Sequence, residues 1–291
     1  SVGHIAGVLN SLDRFTGLTG DVRNAGSIRA EMAALIGRSV VNTGSIVSPG
    51  GFIGLAAGDK VLLGQDGSSI FVDAGNTPPA TDGGTGIANS GTIDAGRGTA
   101  VLAAGDFYSI AITHDGKLAG RDVRLQGQGS GQVLVRGTID ASSVTAGETG
   151  GRRRCARRTR GSDRAARGGP FAGNGGFAEV SGKESLLYRG TVVLTAPNGV
   201  AGRVLFDPKN ITIANGGADD LAANDAFAEN SANSVTFDAD QITTLTNAGT
   251  AVTLQANNVI TISEAITTII AGGAGGAITL QAGRSILINA N

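Results

Sequence analysis

The chain has 291 residues with 48 Gly, no Trp, 4% aromatic and 16% charged residues, against 41% hydrophobic residues. Such apolar content excludes a disordered chain, which cannot bury enough surface to offset its ordering entropy, and abundant Gly without a Gly-X-Y period excludes collagen. The net charge of −1 conceals one basic block in an otherwise acidic chain, so nucleic acid is not expected as a partner.

No apolar run nears the ~20 residues of a membrane-crossing helix, and no transmembrane segment is expected. A lone cysteine, Cys155, permits no intramolecular disulfide. Residues 1–10 show neither the basic nor the apolar region of a signal peptide, and no initiator Met is present, so the chain reads as an internal fragment.

From the N-terminus onward the chain repeats itself. The phrase Asn-x-Gly-[Ser/Thr]-Ile-x-[Ala/Ser] occurs at 24–30, 42–48 and 89–95, with a degenerate copy at 135–141 and a remnant at 189–192. Leu55-Ala-Ala-Gly-Asp59 returns as Leu102-Ala-Ala-Gly-Asp106. Repeats on the order of 20 to 50 residues mark solenoids or propellers. Gly, Asn and Asp interrupt short apolar runs and favour sharp corners, which suits stacked coils better than a propeller blade. The Asn of the phrase is expected to form ladders from coil to coil. Helix is expected at 30–37 and, as a short turn outside the stack, at 218–229.

Arg152, Arg153, Arg154, Arg157, Arg158 and Arg160, followed by Arg164 and Arg167, place eight Arg and one Asp between 152 and 167. Three readings compete. Clustered Arg binds sulfate and phosphate, which makes these residues a candidate site for polyanions such as heparin-like glycans or lipopolysaccharide. The block also reads as a solvated insertion, or as the product of a compensated frameshift in GC-rich DNA. Cys155 has cationic neighbours that favour a thiolate, but no base accompanies it, so it reads as inert.

Downstream, Gly175-Gly-Phe-Ala-Glu-Val-Ser-Gly-Lys183, Gly190-Thr-Val192, Ala196-Pro-Asn-Gly199 and Val204-Leu-Phe-Asp-Pro-Lys-Asn-Ile-Thr-Ile213 follow one another. Together with Gly20-Asp-Val-Arg-Asn-Ala-Gly-Ser-Ile28 and 48–59 they resemble filamentous haemagglutinin-type exoproteins. That resemblance implies a bacterial protein that is secreted or held at the cell surface. It also implies two-partner secretion through an outer-membrane transporter, and adhesion to a host-cell or bacterial surface receptor or glycan.

At the C-terminal end Ala251-Val-Thr-Leu-Gln-Ala256 reappears as Ala277-Ile-Thr-Leu-Gln-Ala282, an offset of 26 residues. Alternation there predicts strands with Val252, Leu254, Ile260 and Ile262 on one face and Thr253, Gln255, Thr261 and Ser263 on the other.

Constellations for chemistry are sparse. His4 and His114 are the only histidines; His114-Asp-Gly116 reads as a turn at a corner, and no Gly-x-Ser-x-Gly elbow supplies a nucleophile. Asp219-Asp220 is the only adjacent acidic pair. Gly182-Lys183 precedes Glu184 rather than Ser or Thr and fails as a phosphate loop. Gly127-Gln-Gly-Ser-Gly131 reads as a corner, and Gly83-Gly-Thr-Gly-Ile-Ala88 has Ala where a calcium repeat needs Asp. No catalytic, cofactor-binding or metal-ligating residue is assigned, and an enzyme is not expected.

The expected fold is therefore all-β, a right-handed parallel β-helix (β-solenoid) with Gly/Asn corners, of about 13 coils and ~60 Å. It divides into coils at 1–145 after a truncated secretion domain, an Arg/Gly-rich interruption at 146–170, and coils at 171–291. The expected function is an adhesive shaft. The alternatives are the stalk of a toxin or cytolysin and a carbohydrate-active β-helix lyase or hydrolase.

Overall fold

A computed structural model describes residues 2–5, 12–64, 70–73, 84–106, 108–142, 174–183, 185–197, 199–215, 234–268 and 275–290. Strands β1 (Val2–Ile5) and β2 (Leu12–Thr16) precede a first rung of β3 (Asp21–Asn24), β4 (Ser27–Arg29) and β5 (Met32–Gly37). A second rung is β6 (Ser39–Asn42), β7 (Ser45–Val47) and β8 (Phe52–Ala57). After β9 (Lys60–Gly64) and β10 (Ile70–Asp73), β11 (Thr85–Asn89), β12 (Thr92–Asp94) and β13 (Thr99–Ala104) make the third. The fourth is β14 (Ile110–His114), β15 (Lys117–Ala119) and β16 (Asp122–Gly127). The fifth is β17 (Gln132–Val135), β18 (Thr138–Asp140) and β19 (Phe177–Gly182). The sixth is β20 (Ser185–Tyr188), β21 (Thr191–Val193) and β22 (Arg203–Pro208). Then follow β23 (Asn210–Ile213), β24 (Ser234–Phe237), α1 (Ala239–Asn247), β25 (Ala251–Ala256), β26 (Val259–Ile262), β27 (Ile278–Ala282) and β28 (Ser285–Ile288).

The molecule is all-β apart from α1, and its main sheets are parallel. First strands of the six rungs form one six-stranded sheet, second strands another, and third strands an eight-stranded sheet that runs from β5 to β27. Eight strands at the usual spacing give a height of ~35 Å. The expected 13 coils overcount, because three circuits carry long excursions: the pairs Phe52↔Thr99, Asp122↔Phe177 and Arg203↔Ala251 are each about twice as far apart in sequence as Thr99↔Asp122.

Register explains the repeated phrase residue by residue. Asn24, Asn42 and Asn89 are cross-strand partners at the ends of β3, β6 and β11. Ile28, Ile46, Ile93, Leu118, Ile139 and Val192 form one column of the second sheet, and all but Ile28 are buried. Between these columns lies the corner glycine. A Cβ on Gly44, Gly91, Gly116, Gly137 or Gly190 would overlap the carbonyl oxygen of the corner glycine one rung earlier. No room for a methyl group exists there.

The second phrase has an equally local cause. Leu55, Ala56 and Ala57 pair with Leu102, Ala103 and Ala104. Leu55 and Leu102 face the main core, whereas Ala56 and Ala103 join Phe52 and Val101 in a second, outer cluster. That cluster is closed by Val61 and Leu63 of β9, with Phe15, Leu18 and Ile36 against it. An antiparallel sheet, ordered β1-β2-β9-β10, contributes these strands, so the early rungs are apolar on both faces of the third sheet.

One sequence expectation changes here. Residues 32–37 are strand β5, not helix: Ala33, Leu35 and Gly37 are buried in strict alternation, and pairing to β8 outweighs the helical propensity of Ala and Leu. The expected helical turn at 218–229 lies outside the described residues. The one helix among the described residues, α1, is capped at its N-terminus by Asp238. Its carboxylate accepts from the Asp240 N–H, and Gln241 completes a capping box.

The expected facing of the duplicated segment is borne out. Val252, Leu254, Ile260 and Ile262 are all buried. The two copies stack on each other, with Val252↔Ile278, Leu254↔Leu280, Ile260↔Ile286 and Ile262↔Ile288.

At the seventh circuit the order of strands departs from the order of the chain. β24 pairs with β23 and lies against β20, while β26 pairs on the other side of β23. The first-strand side thus gains one strand that the third sheet lacks. Tyr188, Phe206 and Phe237 fill the core at this step, with ring centroids 4.8 Å apart for Tyr188–Phe206 and 4.7 Å for Phe206–Phe237.

Candidate functional site

The Arg cluster named above (Arg152, Arg153, Arg154, Arg157, Arg158, Arg160) lies outside the described residues, as does Cys155. Its attachment is described. β18 and β19 flank it, and between them the Gly176 N–H donates to the Ala141 carbonyl at 2.7 Å. Across this neck the stack is continuous: Asp122 to Gly127 pair with Phe177 to Gly182, and Gln132 with Ser185. Gly175 and Gly176 allow the closure, since a Cβ on either would run into the backbone around Leu194, Gly202 or Arg121.

Beyond the antiparallel sheet, the outer face of the third sheet becomes polar. Arg124, Gln126, Glu179, Ser181 and Asp207 gather on β16, β19 and β22. Glu179 Oε1 accepts from Gln126 Nε2 at 3.0 Å, and Glu179 Oε2 lies 3.9 Å from Arg124 Nε. Asp207 has one buried oxygen, Oδ1, without a hydrogen-bond partner. Burial first, and the charge of Glu179 second, raise its pKa above the ordinary carboxylate value, opposed by a hydrogen bond with Ser181. Glu179 and Asp207 are far apart in sequence and meet only through the register Ser181↔Asp207. Sequence reading therefore missed them and named Asp219-Asp220, which lies outside the described residues. Chemically, the face offers carboxylate oxygens, an amide and a guanidinium to a polar ligand. Among the described residues no three His, Cys, Asp or Glu side chains converge as a metal-ligand group.

The expected Asn ladder is present and extends further than its phrase. Asn24 Nδ2 donates to Asn42 Oδ1 at 2.8 Å, and Asn42 Nδ2 donates to Asn89 Oδ1 at 2.7 Å. Asn89 Nδ2 then meets His114 Nδ1 at 3.0 Å, and His114 Nε2 lies 3.2 Å from the Thr138 carbonyl. At the other end Asn24 Oδ1 accepts from the Gly26 N–H at 3.2 Å. His114 is 0% exposed, and burial, its largest influence, lowers its pKa.

His114 is the last residue of β14, paired with Asn89 on one side and Val135 on the other; the turn begins only at Asp115. The sequence held a signal for this position: His114-Asp-Gly-Lys-Leu118 keeps the corner glycine and the inward aliphatic residue of the phrase.

Among the described residues no helix is long and apolar enough to cross a membrane. No protein-family model matches the chain, and no curated protein matches it.

Proposed function

We propose that the chain is a segment of a right-handed parallel β-helix that serves as the adhesive shaft of a secreted or surface-held bacterial exoprotein. It would be exported by two-partner secretion through an outer-membrane transporter. The observation that carries this reading is the register of the repeats. Each copy of a phrase lies beside the previous copy, so the sequence spends its specificity on stacking one circuit on the next. A right-handed sense follows from the strong preference of parallel crossovers. The 175–213 phrase, with its haemagglutinin-like wording, supports export and adhesion, and the polar outer face of the later rungs offers a surface for a receptor or glycan. Epitope-tagging the chain in its own gene and deleting the partner transporter tests the proposal. The tag should disappear from the medium and the cell surface; undiminished release would overturn it.

A second reading, a carbohydrate-active β-helix, is favoured by the Glu179–Asp207 pair, since glycan cleavage uses two carboxyl groups held in unlike environments. Incubation with acidic polysaccharides, with and without calcium, tests it. Cleavage that Asp207→Asn abolishes would establish this reading, and no cleavage would leave the shaft.

A further inference from the structure

We propose that the Asn24–Asn42–Asn89–His114 ladder is an acid-sensitive catch: it holds the first three rungs while His114 is neutral, and one proton on Nδ1 releases them. The argument begins with direction. The Gly26 N–H fixes Asn24 Oδ1 as an acceptor, so Asn24 must present Nδ2 to Asn42, and each amide in turn presents Nδ2 to the next. The last of these donors meets Nδ1 of His114, which must therefore be unprotonated. The ring proton then sits on Nε2 and is donated to the Thr138 carbonyl. Both ring nitrogens are satisfied in one tautomer only.

Protonation leaves no good arrangement. With the ladder as it stands, Nδ1–H would face the N–H of Asn89, donor against donor. Rotating all three amides would cure that contact but turn Asn24 Nδ2 toward the Gly26 N–H, moving the same clash to the other end. The new charge would also lie in a fully buried position, where desolvation opposes it. No neighbouring side chain supplies an acceptor, since the next position in the column is Val135, followed by Tyr188, and the Asn89 carbonyl, which favours the charged ring, already accepts from the Asp115 and Gly116 N–H groups.

Ionisable groups around His114 lie at the surface. Asp115, next in the chain, lies 3.5 Å from Arg136 Nε, and Lys117 on β15 lies 3.4 Å from Asp140 on β18. β11 and β17 carry no ionisable residue. Burial outweighs the Thr138 carbonyl, the Asp115 charge and the Asn89 carbonyl, which all favour protonation of His114. The sign follows. Above the unfolded His value of about 6.5 neither state binds the proton, and stability does not depend on it. Below that value the opened chain takes up a proton that the closed ladder refuses, so stability falls as pH falls, by up to about tenfold in the opening equilibrium per pH unit.

The test uses the full chain. With ¹⁵N-histidine labelling, and His4→Gln for assignment, the His114 ring at pH 7.5 should show the Nε2–H tautomer. Hydrogen exchange, corrected for intrinsic rates, should show β3, β6 and β11 opening progressively more often as pH falls from 6.5 to 5, while β22, β25 and β26 hold. His114→Asn, which extends the ladder with its own residue type and cannot titrate, should abolish that dependence. An Nδ1–H tautomer, unchanged protection of the first rungs at pH 5, or an equal acid response in His114→Asn would overturn the proposal. If the variant does not fold, the tautomer and the wild-type exchange profile still decide it.

Discussion

At Gly91 a methyl group would have to share space with the Gly44 carbonyl oxygen, whereas Gly50, with φ of 86°, has nothing within 4 Å of where its Cβ would sit. These two glycines separate two costs that are often merged. Gly50→Ala should cost ~1–2 kcal/mol, the penalty of a left-handed backbone with a side chain. Gly91→Ala should cost more than ~3 kcal/mol, because the stacked backbones must part. Urea titration followed by circular dichroism measures both, and equal losses would show that room is not what the corner requires. Asn42→Ala should cost ~2–4 kcal/mol by the same measurement, since it orphans a buried donor on Asn24 and a buried acceptor on Asn89. At this scale the sequence was readable where one residue type recurs, as with the three Asn. It was harder to read at His114, where only the corner glycine and Leu118 keep the phrase and a different side chain takes up the same hydrogen bond.

Among elements, the strands of the C-terminal duplication carried the plainest signal. Alternation of Val252, Leu254 and Ala256 with Thr253 and Gln255 is what a sheet with one buried face demands. Leu254→Ala should cost ~2–5 kcal/mol, and Thr253→Ala, on the outer face, no more than ~0.5 kcal/mol. Comparable midpoint shifts in the two variants would contradict the facing. The first rungs were harder to read. Under the antiparallel sheet β8 is buried on both faces, so alternation disappears there, and in neighbouring β5 an Ala-rich run resembles a helix. α1 escaped notice because its signal is a cap, Asp238 with Gln241, and not a long apolar stripe: Ala239, Ile242 and Thr246 are its only buried residues. The Glu179–Asp207 pair depends on register across two circuits, which no local pattern reports.

For the whole molecule, the neck at Ala141 and Gly176 decides what the Arg-rich segment can affect. Replacing residues 143–173 by a short Gly/Ser linker should leave the β-sheet spectrum and the urea midpoint within ~1 kcal/mol of the parent, because loop length alters closure entropy only slowly. Loss of the fold in that deletion would mean that the segment supports the stack. The all-β character was legible from the repeats together with the alternation, whereas the number of rungs was not, since stacked partners such as Asp122 and Phe177 lie far apart in sequence.

The extra strand β24 has a consequence in time. Through the sixth circuit every strand can add to a neighbour already in place, so a chain emerging N-terminus first can grow like a crystal at its tip. The next site breaks that rule. β23 emerges before β24, yet its final berth is one place beyond the strand still to come. Growth should stall there until residue 237 is free, leaving Leu186 and Tyr188 uncovered in the interval. A series of C-terminal truncations probed by limited proteolysis should therefore show protection rising smoothly up to β22, holding level through β23, and jumping once β24 is included.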